Sequence, residues 1–267
     1  MSIHAIITGG SSGIGKAVAK LLLEQGNKVT LIARCETKLN QVVAEFSSVL
    51  TDNEQLDYYS ADVADEKQIH HAIKQATDSS ELKKVLILSA GLAEPGYFES
   101  TDTITHKKSM DINYFGSLYP IQAILPHMKK AHSGHIVMIS SGAGLVGIHG
   151  YTSYSPSKFA LQGLAESMRS ELKNMGINLS IAFPPDTDTP MLEQEMQTKP
   201  PETCEITGSG SLYSPEFVAK SILNGINKKK FSIYPGKEMY LLGKLHSFIY
   251  PVLNWYFDRI IGKHQKR

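Results

Sequence analysis

The sequence predicts an α/β fold, a single doubly wound parallel sheet of about seven strands with helices on both faces. Three observations carry that prediction. Apolar runs rich in Val, Ile and Leu alternate with helix-patterned segments along most of the chain. These runs are continuous rather than alternating in polarity, as strands buried on both faces of a parallel sheet must be. At 267 residues the chain is long enough for one large domain, and no internal repeat or low-complexity linker divides it.

The elements follow in order. Ile3–Thr8 is a short β-rich run, followed by a Gly-rich turn and an apolar-periodic helix that Gly26 closes as a C-cap. "KVTLIA" is the second strand, ending at Ala33, and a helix from there reaches about Val49. "QLDYYSADV" reads as the third strand and a polar helix starts at Asp65. "KVLILSAG" is a buried strand, and "THKKSMDINYFGSLYPIQAILPHMKK" a single long helix. "GHIVMISS" and "INLSIAFPP" are further strands on either side of the helix that carries Lys158. Residues Pro184 to Pro215, rich in Pro, Thr, Glu, Gly and Ser, read as an irregular loop of the kind that closes over a site.

Composition excludes several classes. With 27 basic against 26 acidic residues there is no charge excess to draw nucleic acid. Cys35 and Cys204 cannot build a disulfide framework and suit a reducing compartment. "MSIHAIITGG" has neither a basic n-region nor a long apolar core, so no signal peptide is read and a cytoplasmic location is expected. His132 and His135 have no acidic or cysteine partner at ligand spacing, so no metal site is expected.

Two stretches carry chemistry. "TGGSSGIG" (Thr8–Gly15) lies between the first strand and first helix, where glycines let a pyrophosphate approach backbone N–H groups. A site for NAD would carry an acid at the end of the second strand, against the ribose 2′-hydroxyl. This chain has Arg34 there, which would instead bind a 2′-phosphate, so NADP(H) is expected. Asp62, before Val63, either reaches an adenine edge or caps the next helix. In "GYTSYSPSKFAL", Tyr154 and Lys158 stand four apart and share a helical face, whereas Tyr151 has Ser155 at that spacing. An ammonium beside a phenol favours the phenolate, so Tyr154 is the expected acid–base group. Pro156 fits in or beside the first helical turn if Thr152 is the N-cap.

With "TGGSSGIG", "DV", "SAG", "DINYFG", "ISS" and "YSPSK" in this order, from Thr8 to about Pro190, the chain resembles the short-chain dehydrogenase/reductase family. The resemblance implies a Rossmann-type fold and a catalytic set of Asn113, Ser141, Tyr154 and Lys158, with Ser141 rather than Ser140 at the family's spacing. It implies cofactor contacts from Gly9, Ser11, Ser12, Gly13, Ile14, Gly15, Arg34, Asp62, Val63, Ala90, Gly91, Tyr154, Lys158, Pro184, Thr187 and Thr189. In the family Asn113 would hold a water that passes protons to Lys158, and the long helices would build a dimer or tetramer. Ser89 stands where the family usually has Asn. "FPPDTDTP", followed by "QTKPPET", is similar to the branch acting on long-chain sphingoid ketones. Reduction of a steroid or 3-oxoacyl lipid, or NADP(H) binding without catalysis, are the alternatives.

Residues 1–236 thus form the cofactor domain, with 184–215 as its substrate loop, and 237–267 an amphipathic extension. Within that extension the longest uncharged run, Leu245 to Phe257, has 13 residues and contains Pro251. A span needs about 20 apolar residues. The expectation is a pair of interfacial helices on the cytoplasmic face of a membrane, with Trp255 at headgroup depth and Arg259, Lys263, Lys266 and Arg267 near anionic lipid.

Overall fold

The computed structural model describes residues 2–50, 52 and 55–264. Seven parallel strands form one sheet in the order β3-β2-β1-β4-β5-β6-β7. They are β1 (Ile3–Thr8), β2 (Lys28–Ala33), β3 (Leu56–Ser60), β4 (Lys83–Leu88), β5 (Gly134–Ile139), β6 (Ile177–Ala182) and the two-residue β7 (Ser232–Ile233). Alternate side chains enter opposite layers. Ala5, Ile7, Val85 and Ile87 join one apolar core, while Ile6, Leu86 and Leu88 join the other. Each fully buried Ile or Leu contributes roughly 1.5–3 kcal/mol, so both faces need helical cover. Strand order reverses between β1 and β4, and a crevice opens there at the strands' carboxyl ends.

Helices α1 (Gly13–Glu24), α2 (Glu36–Phe46) and α3 (Glu66–Asp78) follow the first three strands. α2 stops three residues short of Val49. The long helix is three pieces, α4 (Thr103–Ser109), a π-helical turn (Met110–Phe115) and α5 (Gly116–Lys130). The wider turn seats the buried Asn113, a use of π-helical turns common near functional sites. Ser153, not Thr152, stands at the N-cap position of α6 (Tyr154–Asn174), and its hydroxyl donates to Glu94 O rather than capping the helix. Tyr154 is therefore inside the helix, and Pro156 lies in the first turn, where its missing N–H costs little.

The stretch from Pro184 to Pro215 is more ordered than expected. It holds α7 (Pro190–Glu195) and α8 (Pro201–Thr207), each beginning at a proline, and leads into α9 (Pro215–Asn227). Proline at the first helical position is preorganised for that start, and Thr189 caps α7 by accepting from the Leu192 N–H. The C-terminal segment is a single helix, α10 (Lys237–His264), and not a pair. Pro251 removes one N–H donor without ending it, and the second half is fastened by the buried Ile260 and by Lys263 and His264, which meet Glu205 of α8. Lys266 and Arg267 lie outside the described residues. Among the described residues no helix is long and apolar enough to cross a membrane.

Two buried histidines make stability depend on pH. His4 Nε2 meets Thr30 Oγ1 at 2.7 Å and His135 Nε2 meets Ser180 Oγ at 2.8 Å, both within the sheet. Burial, with nearby lysines, lowers His4 to about 3 and His135 to about 4. The folded chain keeps both rings neutral where the unfolded chain protonates near pH 6.5. Stability is therefore full above that pH and falls as pH drops towards 4, by about 2 kcal/mol per histidine at pH 5. Equilibrium urea unfolding at pH 7, 6 and 5 checks this, and a flat profile would contradict it.

Candidate active site

The crevice is walled by the turn after β1, the ends of β4 and β5, the start of α6 and the segment after β6. At the β1 turn Gly9 has φ +69°, and a Cβ there would stand 2.6 Å from Ala90 N. A Cβ on Gly15 would stand 2.6 Å from Gly9 O. Only glycine permits this packing. No side chain caps the start of α1 and no acid lies in its first turn, so its N–H groups face the crevice free for an anion. The turn thus fits the pyrophosphate of a dinucleotide. Ser89 faces Gly15 across it, where the family pattern has Asn.

Gly9, Ser11, Ser12, Gly13 and Ile14 line the crevice, as do Val63, Ala90, Gly91, Pro184, Thr187 and Thr189. Gly15 lies behind the turn as packing. At the far end stand Arg34 and, one turn along, Lys38, which the sequence reading missed. A basic residue four beyond Arg34, on a helix leaving the β2 edge, was the available signal. Arg34 makes only a long 3.9 Å pair with Asp62. Asp62 does not line the crevice. Its Oδ1 accepts from the Ala64 N–H, and the helix cap is Asp65.

At the other end Tyr154, Ser141 and Lys158 converge. Ser141, just after β5, accepts from the Ala143 N–H at 3.2 Å and lies close enough to the Tyr154 phenol to favour its ionised form. Ser140 is turned away and donates to the Lys158 carbonyl at 3.1 Å. Lys158 Nζ stands 5.6 Å from the centre of the Tyr154 ring and donates to Ile139 O at 3.1 Å. The expectation that the ammonium lowers the phenol is overturned. Burial first, then Glu195, pushes Tyr154 up, while burial lowers Lys158 to about 8. Desolvation opposes charge on both groups.

Asn113 is fully buried and does not reach the cavity wall. Its side chain accepts from the Leu92 N–H at 2.8 Å and donates to Leu92 O and Ser157 Oγ, and its carbonyl accepts from Ser117 Oγ. It clamps the β4 loop to α5 and α6. Tyr151 does have a cation, since Lys199 lies 5.5 Å over its ring, and its hydroxyl donates to Glu195 at 2.6 Å. Neither partner was visible locally, because both lie more than 40 residues away. Burial first, then the carboxylate, pushes Tyr151 far up, and its proton is committed to Glu195 rather than to a substrate.

The whole crevice, from Arg34 and Lys38 to α10, encloses about 740 Å³, and beyond the catalytic set its lining turns apolar. Val146, Ile148 and Ile206 line one side, and Leu242, Ile249, Leu253, Tyr256 and Phe257 of α10 the other. The arrangement can hold a dinucleotide along the sheet edge and an apolar carbonyl compound against Tyr154.

The family model for short chain dehydrogenases matches residues 3–200. The chain belongs to that family. A 3-ketodihydrosphingosine reductase of Bos taurus is 41% identical over 251 residues, covering 93% of this chain and 76% of the relative. Another from Dictyostelium discoideum is 40% identical, covering 97% and 82%. Among solved structures, ElxO with NADP bound superimposes with a TM-score of 0.77 at 29% identity, over 88% of this chain and 98% of that one.

Proposed function

We propose that the chain reduces the 3-keto group of 3-ketodihydrosphingosine to dihydrosphingosine with NADPH. The observation that carries this is the convergence of Tyr154, Ser141 and Lys158 where a glycine-lined crevice opens into a long apolar cavity. The curated relatives bearing that activity support the substrate, and ElxO supports the cofactor.

The turn Gly9–Gly15 and the start of α1 would hold the pyrophosphate, Arg34 and Lys38 the 2′-phosphate, and Gly91, Thr187 and Thr189 the nicotinamide end. Bound NADPH supplies the hydride that a ketone carbon accepts. Ser141 holds the ketone oxygen and stabilises the charge it gathers. Tyr154 gives that oxygen its proton. Burial keeps the phenol protonated until then, and Lys158, lowered to about 8 yet still mostly ammonium at pH 7, offsets the phenolate left behind. Asn113 acts by fixing the Leu92 loop and α6.

α10 separates the cavity from the exterior. Leu241, Leu245, Phe248, Val252 and Trp255, spaced alternately four and three apart, form an exposed apolar stripe, with Phe248 82% exposed. This stripe is proposed as a peripheral contact with the cytoplasmic face of a membrane, from which a lipid ketone enters beside α10. Arg259 lies over the Trp255 ring at 5.6 Å, whereas Lys263 is already paired with Glu205 at 3.1 Å. Assembly into a dimer or tetramer belongs to the same reading, with the exposed Phe159 on α6 as a contact.

The test is NADPH consumption with 3-ketodihydrosphingosine presented in detergent micelles and in anionic vesicles. Turnover is expected in both, and a Phe248→Asp/Trp255→Asp variant should lose it on vesicles alone. No turnover by folded, NADPH-binding protein would redirect the search to steroid and 3-oxoacyl ketones. Equal loss in micelles would remove the membrane role.

A further inference from the structure

A carboxylate lies in the apolar cavity that the mechanism above leaves unused. Glu195, the last residue of α7, is 7% exposed and lines the cavity with Tyr154 and Lys158. Both of its contacts fall on one oxygen. Oε2 accepts from Tyr151 Oη at 2.6 Å and lies 3.8 Å from Lys199 Nζ. Among the described residues no donor meets Oε1, which is not one of the buried side-chain atoms left without a partner and so opens onto the cavity. Lys199 is shared, standing 3.7 Å from Asp186 Oδ2. Both distances are long for hydrogen bonds. Two carboxylates thus share Lys199, with Lys158 as the second ammonium acting on Glu195.

We propose that Glu195 recognises an ammonium group on the carbon next to the ketone, and so selects 2-amino ketones over plain ketones. This rests on the reading of the substrate given above, since 3-ketodihydrosphingosine carries an amine at that carbon. The geometry is consistent with a bound ketone. The Tyr151 hydroxyl holds Glu195 and its ring is 5.4 Å from the Tyr154 ring, so an amine two bonds from the reacting carbon arrives beside the carboxylate when the oxygen reaches Tyr154. An ammonium there would give Oε1 a donor. Burial raises the Glu195 carboxyl, so the site gains its charge most readily with the cation in place. Glu195 selects substrate and takes no part in the proton transfer.

The experiment compares two ketones of equal chain length, 3-ketodihydrosphingosine and the same 1-hydroxy-3-ketone lacking the amine. A charge-assisted hydrogen bond of this kind corresponds to about 10- to 100-fold in kcat/KM. The wild type should prefer the amine by that factor. Glu195→Gln should lose the preference by slowing the amine substrate while reducing the other at the wild-type rate. Tyr151→Phe, which removes the hydrogen bond that holds Glu195, should weaken the preference without slowing the ketone that lacks the amine. Equal wild-type rates on both ketones overturn the role without any variant, as does a Glu195→Gln that slows both alike. Wild type inactive on both ketones instead rejects the substrate reading itself.

Discussion

Tyr154→Phe should lower kcat by about 10³-fold, within the range of 10²- to 10⁴-fold for a positioned general acid. The variant removes one hydroxyl and keeps the ring, which packs 5.4 Å from Tyr151 and 5.6 Å from Lys158 Nζ. Fold and NADPH affinity should therefore be unchanged, which calorimetry with NADPH would establish alongside the kinetics. The loss should sit in kcat rather than KM, because the proton is needed only as the oxygen gathers charge. Tyr151→Phe is the paired control. Its hydroxyl is committed to Glu195, so on a ketone lacking an amine that variant should keep most of its rate. A reversed pattern, with Tyr151→Phe dead and Tyr154→Phe active, would exchange the roles of the two tyrosines.

How far the site was legible follows from sequence separation. Tyr154 and Lys158 are four apart on one helix, and the Thr8–Gly15 turn is a contiguous motif. Both can be read locally. The sheet was equally readable, because strands buried on two faces must be continuous apolar runs, and β1 and β2 fall on the expected bounds. The Tyr151–Glu195–Lys199 group was not, since 44 residues separate Tyr151 from Glu195 and only the fold of the 184–215 segment joins them. That segment hid two short helices because its polar composition resembles a loop, although the prolines at Pro190 and Pro201 were start signals. The sign of the Tyr154 shift was missed for a related reason. Spacing reveals a neighbouring charge but not how completely both groups are removed from water.

Removing the two cations at the end of β2 should change cofactor choice by the next largest factor. In Arg34→Ala/Lys38→Ala, KM for NADPH should rise by about 10²-fold while KM for NADH stays within a few fold. Each cation would form charge-assisted bonds to the 2′-phosphate worth about 1.5–3 kcal/mol when desolvated. The Arg34 side chain is 64% exposed, so screening places the pair near the lower end. Asp62 does not prevent Arg34 from turning to the phosphate, because an exposed ion pair at 3.9 Å contributes about 0–1 kcal/mol. The single variants should each show roughly the square root of the double effect, since both cations meet the same dianion. Raising ionic strength should shrink the NADPH preference of the wild type and leave the variant unmoved. An unchanged KM ratio in the double variant would mean that the 2′-phosphate is held elsewhere in the crevice, or that NADPH is not preferred.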